Sequence, residues 1–162
     1  PTIIGINGTA GGGGFSLAIT GDIIYAVKDA KFTLAYTNAG LSPDGSSTYY
    51  LPRIVGVKRA KELMLTNRVF TAKEALDMGL IDLIVENNEE LNEAINKQAN
   101  IFAEGPINAY SSVKKLLHSS FYKDLEGQME KESIHISSNA ESQDGIEGLT
   151  AFSEKRKPNF SE

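Results

Sequence analysis

The stretch Thr2-Ile-Ile-Gly-Ile-Asn-Gly-Thr-Ala-Gly-Gly-Gly-Gly-Phe-Ser-Leu-Ala-Ile-Thr-Gly-Asp22 decides how this chain folds. Its start is β-branched (Ile3, Ile4 and Ile6) and reads as a short buried strand. Residues 11–14 are four consecutive glycines, after which Phe15, Leu17, Ala18 and Ile19 roll into a helix. Glycine accepts positive φ and lets the backbone come close to a ligand. A helix that begins at such a turn aims unpaired N–H groups and the positive end of its dipole at whatever lies in front of it. An anion or a developing oxyanion is the guest that arrangement suits.

Working outward, residues 22–27 read as a buried strand, Lys28-Asp29 as a turn and residues 31–35 as a further strand. Strand, glycine turn, helix, strand and strand in that order predict an α/β layering rather than a helical bundle. Residues 36–44 form a loop punctuated by Gly40 and Pro43, with Asp44 and Ser46 as N-caps for the helix that follows. That helix, residues 46–55, contains Pro52, which predicts a kink or break there. Val57, Ala60, Leu63 and Met64 keep helical spacing until Asn67. Thr71-Ala-Lys-Glu74 is a capping-box pattern opening a short helix that stops at Gly79.

Residues 81–85 read as a strand, and Asn88 caps a helix whose apolar face is Leu91, Ile95, Ala99 and Phe102. Gly105-Pro106 closes it. Helical patterns over residues 107–118, 125–136 and 146–152, the last capped by Asp144, complete the chain. The expected organisation is an α/β part over residues 1–86 and a helical part over residues 87–162.

Composition narrows the chemistry. The 162 residues are 41% hydrophobic and 23% charged, enough apolar surface for a core and one domain or most of one. A net charge of -5 argues against a broad nucleic-acid surface, and no apolar run is long enough for a membrane-spanning helix. The absence of cysteine removes thiolate nucleophiles and disulfides and fits a cytoplasmic setting; the two histidines, His118 and His135, are too far apart in sequence for a histidine metal cluster. No metal is expected. The chain begins without Met and inside a strand pattern, which suggests a piece of something longer.

Each candidate site has a bland reading beside it. The glycines lack the Gly-Lys-Ser/Thr of a phosphate loop, and Ser16 stands where a dinucleotide fingerprint needs its last glycine. Gly14-Phe-Ser-Leu-Ala18 is close to a nucleophile elbow, but the two histidines lie far downstream in helices, where a surface or interhelical role suits them better. Asp44 alone reads as a helix cap, and Lys155-Arg-Lys157 as a solvated tail that could also hold phosphates.

Order and spacing carry more than any one signal. The residues concerned are Asn7-Gly-Thr-Ala-Gly-Gly-Gly-Gly14, Gly21-Asp-Ile-Ile-Tyr-Ala26, Ala30-Lys-Phe32 and Gly40-Leu-Ser-Pro-Asp-Gly45. They continue through Leu51-Pro-Arg-Ile-Val-Gly56, Ala60-Lys-Glu-Leu-Met-Leu-Thr-Asn67, Ala72-Lys-Glu-Ala75, Gly79-Leu-Ile81 and the ending from Glu147 to Phe160. Together they resemble the enoyl-CoA hydratase/isomerase (crotonase) family over essentially the whole chain.

The resemblance implies a crotonase-like spiral of strand-strand-helix turns, of which this chain is the second half, followed by an α-helical region that builds homotrimers or hexamers. The substrate would be an acyl-CoA thioester, with coenzyme A part of the substrate and no bound cofactor. Gly13 falls where the family's second oxyanion N–H sits, and Asp44 where its isomerases and dehalogenases carry a catalytic aspartate. Gly12, Ser16, Ala35, Tyr36 and Ala39 are implied to line the substrate site. Ser16 and Tyr36 stand where hydratases of the family carry two glutamates, which puts two-glutamate water addition in doubt. The Gly40-Leu-Ser-Pro-Asp-Gly45 context with a small residue at Ser16 most resembles the isomerase branch that acts on ring-epoxide phenylacetyl-CoA, and the stretch from Arg53 to Asn67 also resembles the dehalogenase branch, where the matching aspartate is a nucleophile. Apolar walls are expected from Phe15, Leu17, Tyr36 and Tyr49.

Overall fold

The computed structural model describes residues 1–160. Six short strands and eight helices follow one another as β1 (Ile3–Ile6), β2 (Thr9–Gly11), α1 (Gly13–Ala18), β3 (Ile23–Val27), β4 (Lys31–Thr33), α2 (Ser47–Val55), α3 (Val57–Thr66), β5 (Phe70–Thr71), α4 (Ala72–Asp77), β6 (Leu83–Val85), α5 (Asn88–Ala103), α6 (Ile107–Ser120), α7 (Leu125–Ala140) and α8 (Gln143–Glu154). A 3-10 turn, Thr37–Ala39, lies between β4 and α2.

The strands form two three-stranded sheets, and the chain passes back and forth between them. One has the order β1-β3-β6, all parallel, with Ile3 opposite Ile23 and Tyr25 opposite Leu83. The other has the order β2-β4-β5, with β2 and β4 parallel and β5 antiparallel to β4. The turns β1-β2-α1 and β3-β4-α2 each add one strand to each sheet before a helix returns the chain, the geometry of a spiral. β5 and β6 complete the two sheets on either side of α4. The expected α/β class and the spiral winding are observed. The two-residue links between β1 and β2, and the brevity of β2 and β5, hide these strands from a hydropathy pattern.

The described chain divides into two compact units, one of Thr2–Gln98 and one of Ala99–Glu162 with Pro1, so the division falls inside α5. In the first unit the core is built on three aromatic rings. Phe15 meets Phe32 edge-on at 6.5 Å and Phe70 at 6.0 Å, and Phe32 stacks on Phe70 at 5.4 Å. Leu34, Leu51 and Leu63 are fully buried around them. Such pairs contribute beyond their buried area by about 0.5–1.5 kcal/mol each. In the second unit α6 packs on α7 and α7 on α8.

Several boundaries differ from the sequence expectation for identifiable reasons. Pro52 sits inside α2 without ending it; the break comes at Gly56, whose φ of 79° and ψ of 152° separate α2 from α3. Asn67 does end α3, in the left-handed conformation, and both bonds of the Thr71/Glu74 capping box form. Asn87 rather than Asn88 caps α5, its Oδ1 accepting from the Glu90 N–H. Ser142 rather than Asp144 caps α8, accepting from Gly145 N–H at 3.1 Å. In both cases a neighbouring polar residue took the cap position, and Ser142 has the extended backbone that a cap requires. No helix among the described residues is long and apolar enough to cross a membrane.

Candidate functional site

The glycine turn places the first group. Gly12 has φ 52° and ψ -123°, a conformation that a Cβ would oppose, and its N–H donates to the Thr33 carbonyl at 3.1 Å. The chain is thereby pinned to β4 as it leaves β2. Gly13 is then the first residue of α1, where an amide has no partner within the helix. Gly13 and Gly14 have open space where a side chain would otherwise stand. A cleft of about 220 Å³ runs beside the turn, lined among others by Asn7, Gly8, Gly14, Leu17 and Ala18.

One helical turn further, Ser16 is fully buried, with its Oγ 3.2 Å from the Gly12 carbonyl oxygen and 2.9 Å from Tyr36 Oη. It is bonded to no histidine and does not stand exposed at the turn as a nucleophile elbow requires. The elbow reading therefore falls. His135 is instead an interhelical residue, its Nδ1 3.0 Å from Ser112 Oγ.

Tyr36 reaches Ser16 because the chain reverses after β4. Ala35 has φ 61°, an unusual left-handed conformation for a residue with a Cβ that costs on the order of 1 kcal/mol. The 3-10 turn follows, closed by the Ala39 N–H donating to the Tyr36 carbonyl at 3.0 Å. Thr37 donates to the Met64 carbonyl, and Asn67 donates to Thr37 and Asn38, which ties this turn to the end of α3. Ala39 itself is exposed on the turn and touches the cluster through its backbone.

The third group arrives from the loop before α2. Tyr36 Oη donates to Asp44 Oδ1 at 2.6 Å. Burial and this bond hold the phenol above its ordinary value, with the Ser16 contact pulling the other way, so Tyr36 keeps its proton at neutral pH. The Asp44 carboxylate does not cap α2 as expected; its backbone carbonyl does the work there, accepting from Ser47 N–H at 3.2 Å and Ser47 Oγ at 2.9 Å. Ser46 is the residue before α2 but is left-handed and makes no side-chain cap bond. A side chain with a left-handed backbone cannot reach back to the first helical amides as an extended one does.

The structure thus brings Gly12, Gly13, Ser16, Tyr36 and Asp44 into one connected line, with Ala35 and Ala39 shaping the segment that carries Tyr36. Two residues escaped the sequence reading. Gly45, at φ 57°, lets the Asp44 loop pass so close to α1 that a Cβ there would lie 2.8 Å from Ser16 Cβ, and buried Ser47 fixes the Asp44 backbone. The Pro-Asp-Gly turn signal was the available clue to the first.

The expected apolar walls need correction. Phe15 is 1% exposed and belongs to the core, and the Tyr49 ring is covered by Arg53, whose Cζ lies 3.8 Å from the ring centre. Leu17, 68% exposed, remains on the cleft. In the terminal basic run, Arg156 is engaged by Glu147 and Glu154 rather than left for a phosphate.

Two sheets wound as a spiral, a helix that starts at a glycine turn, and an aspartate tied to that turn through Tyr36 and Ser16 define the class. The chain belongs to the enoyl-CoA hydratase/isomerase family, whose profile matches residues 1–162. It is 38% identical over 160 residues to the Bacillus subtilis (strain 168) protein named "Probable enoyl-CoA hydratase", an alignment covering 99% of this chain and 62% of that protein. It is 34% identical over 161 residues to the 1,2-epoxyphenylacetyl-CoA isomerase of Escherichia coli (strain K12), covering 99% and 61%. The crystal structure of an enoyl-CoA hydratase/isomerase from Cupriavidus metallidurans CH34 matches with a TM-score of 0.93 at 32% identity, covering 99% of this chain and 60% of that one. The chain therefore spans 60–62% of the length of these relatives.

Proposed function

We propose that the whole protein is an acyl-CoA isomerase that passes through a thioester enolate. Asp44 takes a proton from a carbon activated by the thioester; the C–H electron pair moves onto the thioester oxygen; the Gly13 N–H donates to that oxygen. The proton then returns from Asp44 to a different carbon, so the product has the formula of the substrate with a double bond or ring rearranged. A preorganised donor of this kind is worth about 2.7–4 kcal/mol at a developing oxyanion. Gly12, Ser16, Ala35, Tyr36 and Ala39 shape the substrate side of the site. Exposed apolar residues of the helical unit, among them Leu125, Met129, Ile136 and Leu149, support assembly as a homotrimer or hexamer.

The observation that carries this reading is the line Ser16–Tyr36–Asp44, in which Asp44 supplies the carboxylate and the other two members are hydroxyls. Water addition by two glutamates lacks both acids here. The hydratase name of the Bacillus subtilis relative favours the second reading, and the isomerase name of the Escherichia coli relative the first. Incubating the full-length enzyme with a panel of unsaturated acyl-CoA thioesters and separating the products decides between them. Double-bond or ring isomers without hydroxyacyl-CoA are expected; hydroxyacyl-CoA as the main product would overturn the isomerase assignment, and an ester trapped on Asp44 would indicate a dehalogenase-like nucleophile instead.

A further inference from the structure

Three polar contacts run in series from Asp44 to the glycine turn: Tyr36 Oη to Asp44 Oδ1 at 2.6 Å, Ser16 Oγ to Tyr36 Oη at 2.9 Å, and Ser16 Oγ to the Gly12 carbonyl at 3.2 Å. Two hydroxyl groups carry two protons, one fewer than the contacts. The protons can fill the line in two ways. In one, Tyr36 donates to Asp44 and Ser16 donates to Tyr36, leaving the Gly12 carbonyl without the hydroxyl. In the other, open once Asp44 is protonated, the Asp44 carboxyl donates to Tyr36, Tyr36 donates to Ser16 and Ser16 donates to the Gly12 carbonyl. While Asp44 is ionised one contact always lacks a proton, and it lies at the weaker, 3.2 Å end of the line when both hydroxyls point toward the carboxylate.

The peptide group that ends the line matters. The Gly12 carbonyl and the Gly13 N–H are two ends of one planar amide. A donor on the carbonyl polarises the amide and strengthens its N–H as a donor. We propose that Ser16 and Tyr36 are positioning residues forming a two-proton relay, which holds Asp44 while it is ionised and lends its polarisation to the Gly13 N–H once Asp44 has taken the substrate's proton. This rests on the assignment of Asp44 as the base and Gly13 as the oxyanion donor.

The two fillings match the two electrostatic states of such a reaction. Before proton transfer the negative charge is on Asp44, and both hydroxyl dipoles point toward it. Afterwards the charge is on the thioester oxygen, and the reversed dipoles point toward the amide that faces it. The Asp44 carboxyl turns to bring its new proton to Tyr36, and the two O–H bonds rotate. Burial of Ser16 keeps water from competing for the middle of the line. Asp44 is the charged group that acts on Tyr36; α1 presents Ser16, and α3 meets the neighbouring turn through the Met64 carbonyl and Asn67, all uncharged. The exposed Asp44 side chain, on a loop containing left-handed Gly45 and Ser46, is otherwise free to rotate, and Tyr36 leaves Oδ2 as the oxygen available to substrate.

The test is a double-mutant cycle in the full-length enzyme with Ser16→Ala, Tyr36→Phe and both together, with Asp44→Asn as control. Loss of a hydrogen bond to a charged group predicts that Tyr36→Phe lowers kcat by about 10- to 100-fold, and Ser16→Ala lowers it in the same direction. KM and acyl-CoA binding should stay close to wild type, and the double variant should be no slower than Tyr36→Phe, because a relay broken once is broken. A double variant slowed by the product of the two single effects, or losses confined to KM, would overturn the relay. A more acidic fluorotyrosine at position 36 keeps the shape if Tyr36→Phe misfolds; it should move the alkaline limb of the kcat profile to lower pH, and an unmoved limb would overturn the proposal. An Asp44→Asn variant with full proton exchange would instead remove the base assignment, whereas inactive Asp44→Asn beside fully active Tyr36→Phe would remove the relay alone.

Discussion

Tyr36 donates to Asp44 across 2.6 Å, and that single bond joins the turn after β4 to the loop before α2. Neither segment has regular sheet or helix to hold it at that point. Their meeting depends on what lies beneath: fully buried Ser16 on α1, and the missing side chain of Gly45 above it.

Gly45→Ala tests that dependence. A methyl group at this position would lie 2.8 Å from Ser16 Cβ, and the residue has φ 57°, so both contact and backbone resist it. The expected destabilisation is about 1–3 kcal/mol, with a fall in turnover larger than stability alone explains, because Ser16 must shift. Denaturant unfolding and steady-state kinetics on the full-length enzyme check this. Unchanged stability with unchanged turnover would mean that the loop has room to move.

Gly13→Pro isolates the proposed oxyanion donor. Proline lacks the N–H and is well tolerated at the first position of a helix, and the space around Gly13 is open. Turnover should drop by about 100- to 1,000-fold while the melting temperature changes little. If turnover survives in a folded Gly13→Pro enzyme, the amide is not a donor in the reaction.

A pH-dependent clamp lies at the end of α8. Arg156 forms a two-pronged ion pair with Glu147 through Nη1 and Nη2, and the Asn159 N–H also donates to Glu147 at 2.8 Å. The Arg156 bonds, then the Asn159 amide, hold the Glu147 carboxyl well below its ordinary 4.5, at about 2. Because the folded value is the lower one, the clamp is at full strength above about 4.5 and is lost as pH falls toward about 2. Carboxyl NMR titration should place the Glu147 midpoint near the lower figure, with the Asn159 amide losing protection in the same window. A midpoint near 4.5 would show that the clamp does not persist in water.

Much of the fold was legible because it is written in local signals. The Thr71/Glu74 capping box, Asn67 at the end of α3 and the strands β1 and β3 on either side of the glycine turn each follow from residue type and spacing. What was not legible depends on tertiary contact. Phe15 reads as part of a helix face bordering a pocket, and only Phe32 and Phe70, distant in sequence, draw it into the core. Pro52 promises a break that the backbone defers to Gly56.

The site divides in the same way. Gly13 and Asp44 could be marked from their turns and from the family resemblance. The hydroxyl line between them could not, because Ser16, Tyr36 and Asp44 are brought together by Ala35 and Gly45, two residues with left-handed backbone whose conformations no hydropathy pattern announces.

The central claim is that Asp44 moves the proton. Incubating the full-length Asp44→Asn enzyme with an acyl-CoA substrate in deuterated water and following deuterium entry at the substrate carbon by mass spectrometry tests it most directly. The account predicts that exchange is abolished while acyl-CoA still binds. Deuterium incorporated at the wild-type rate would contradict it.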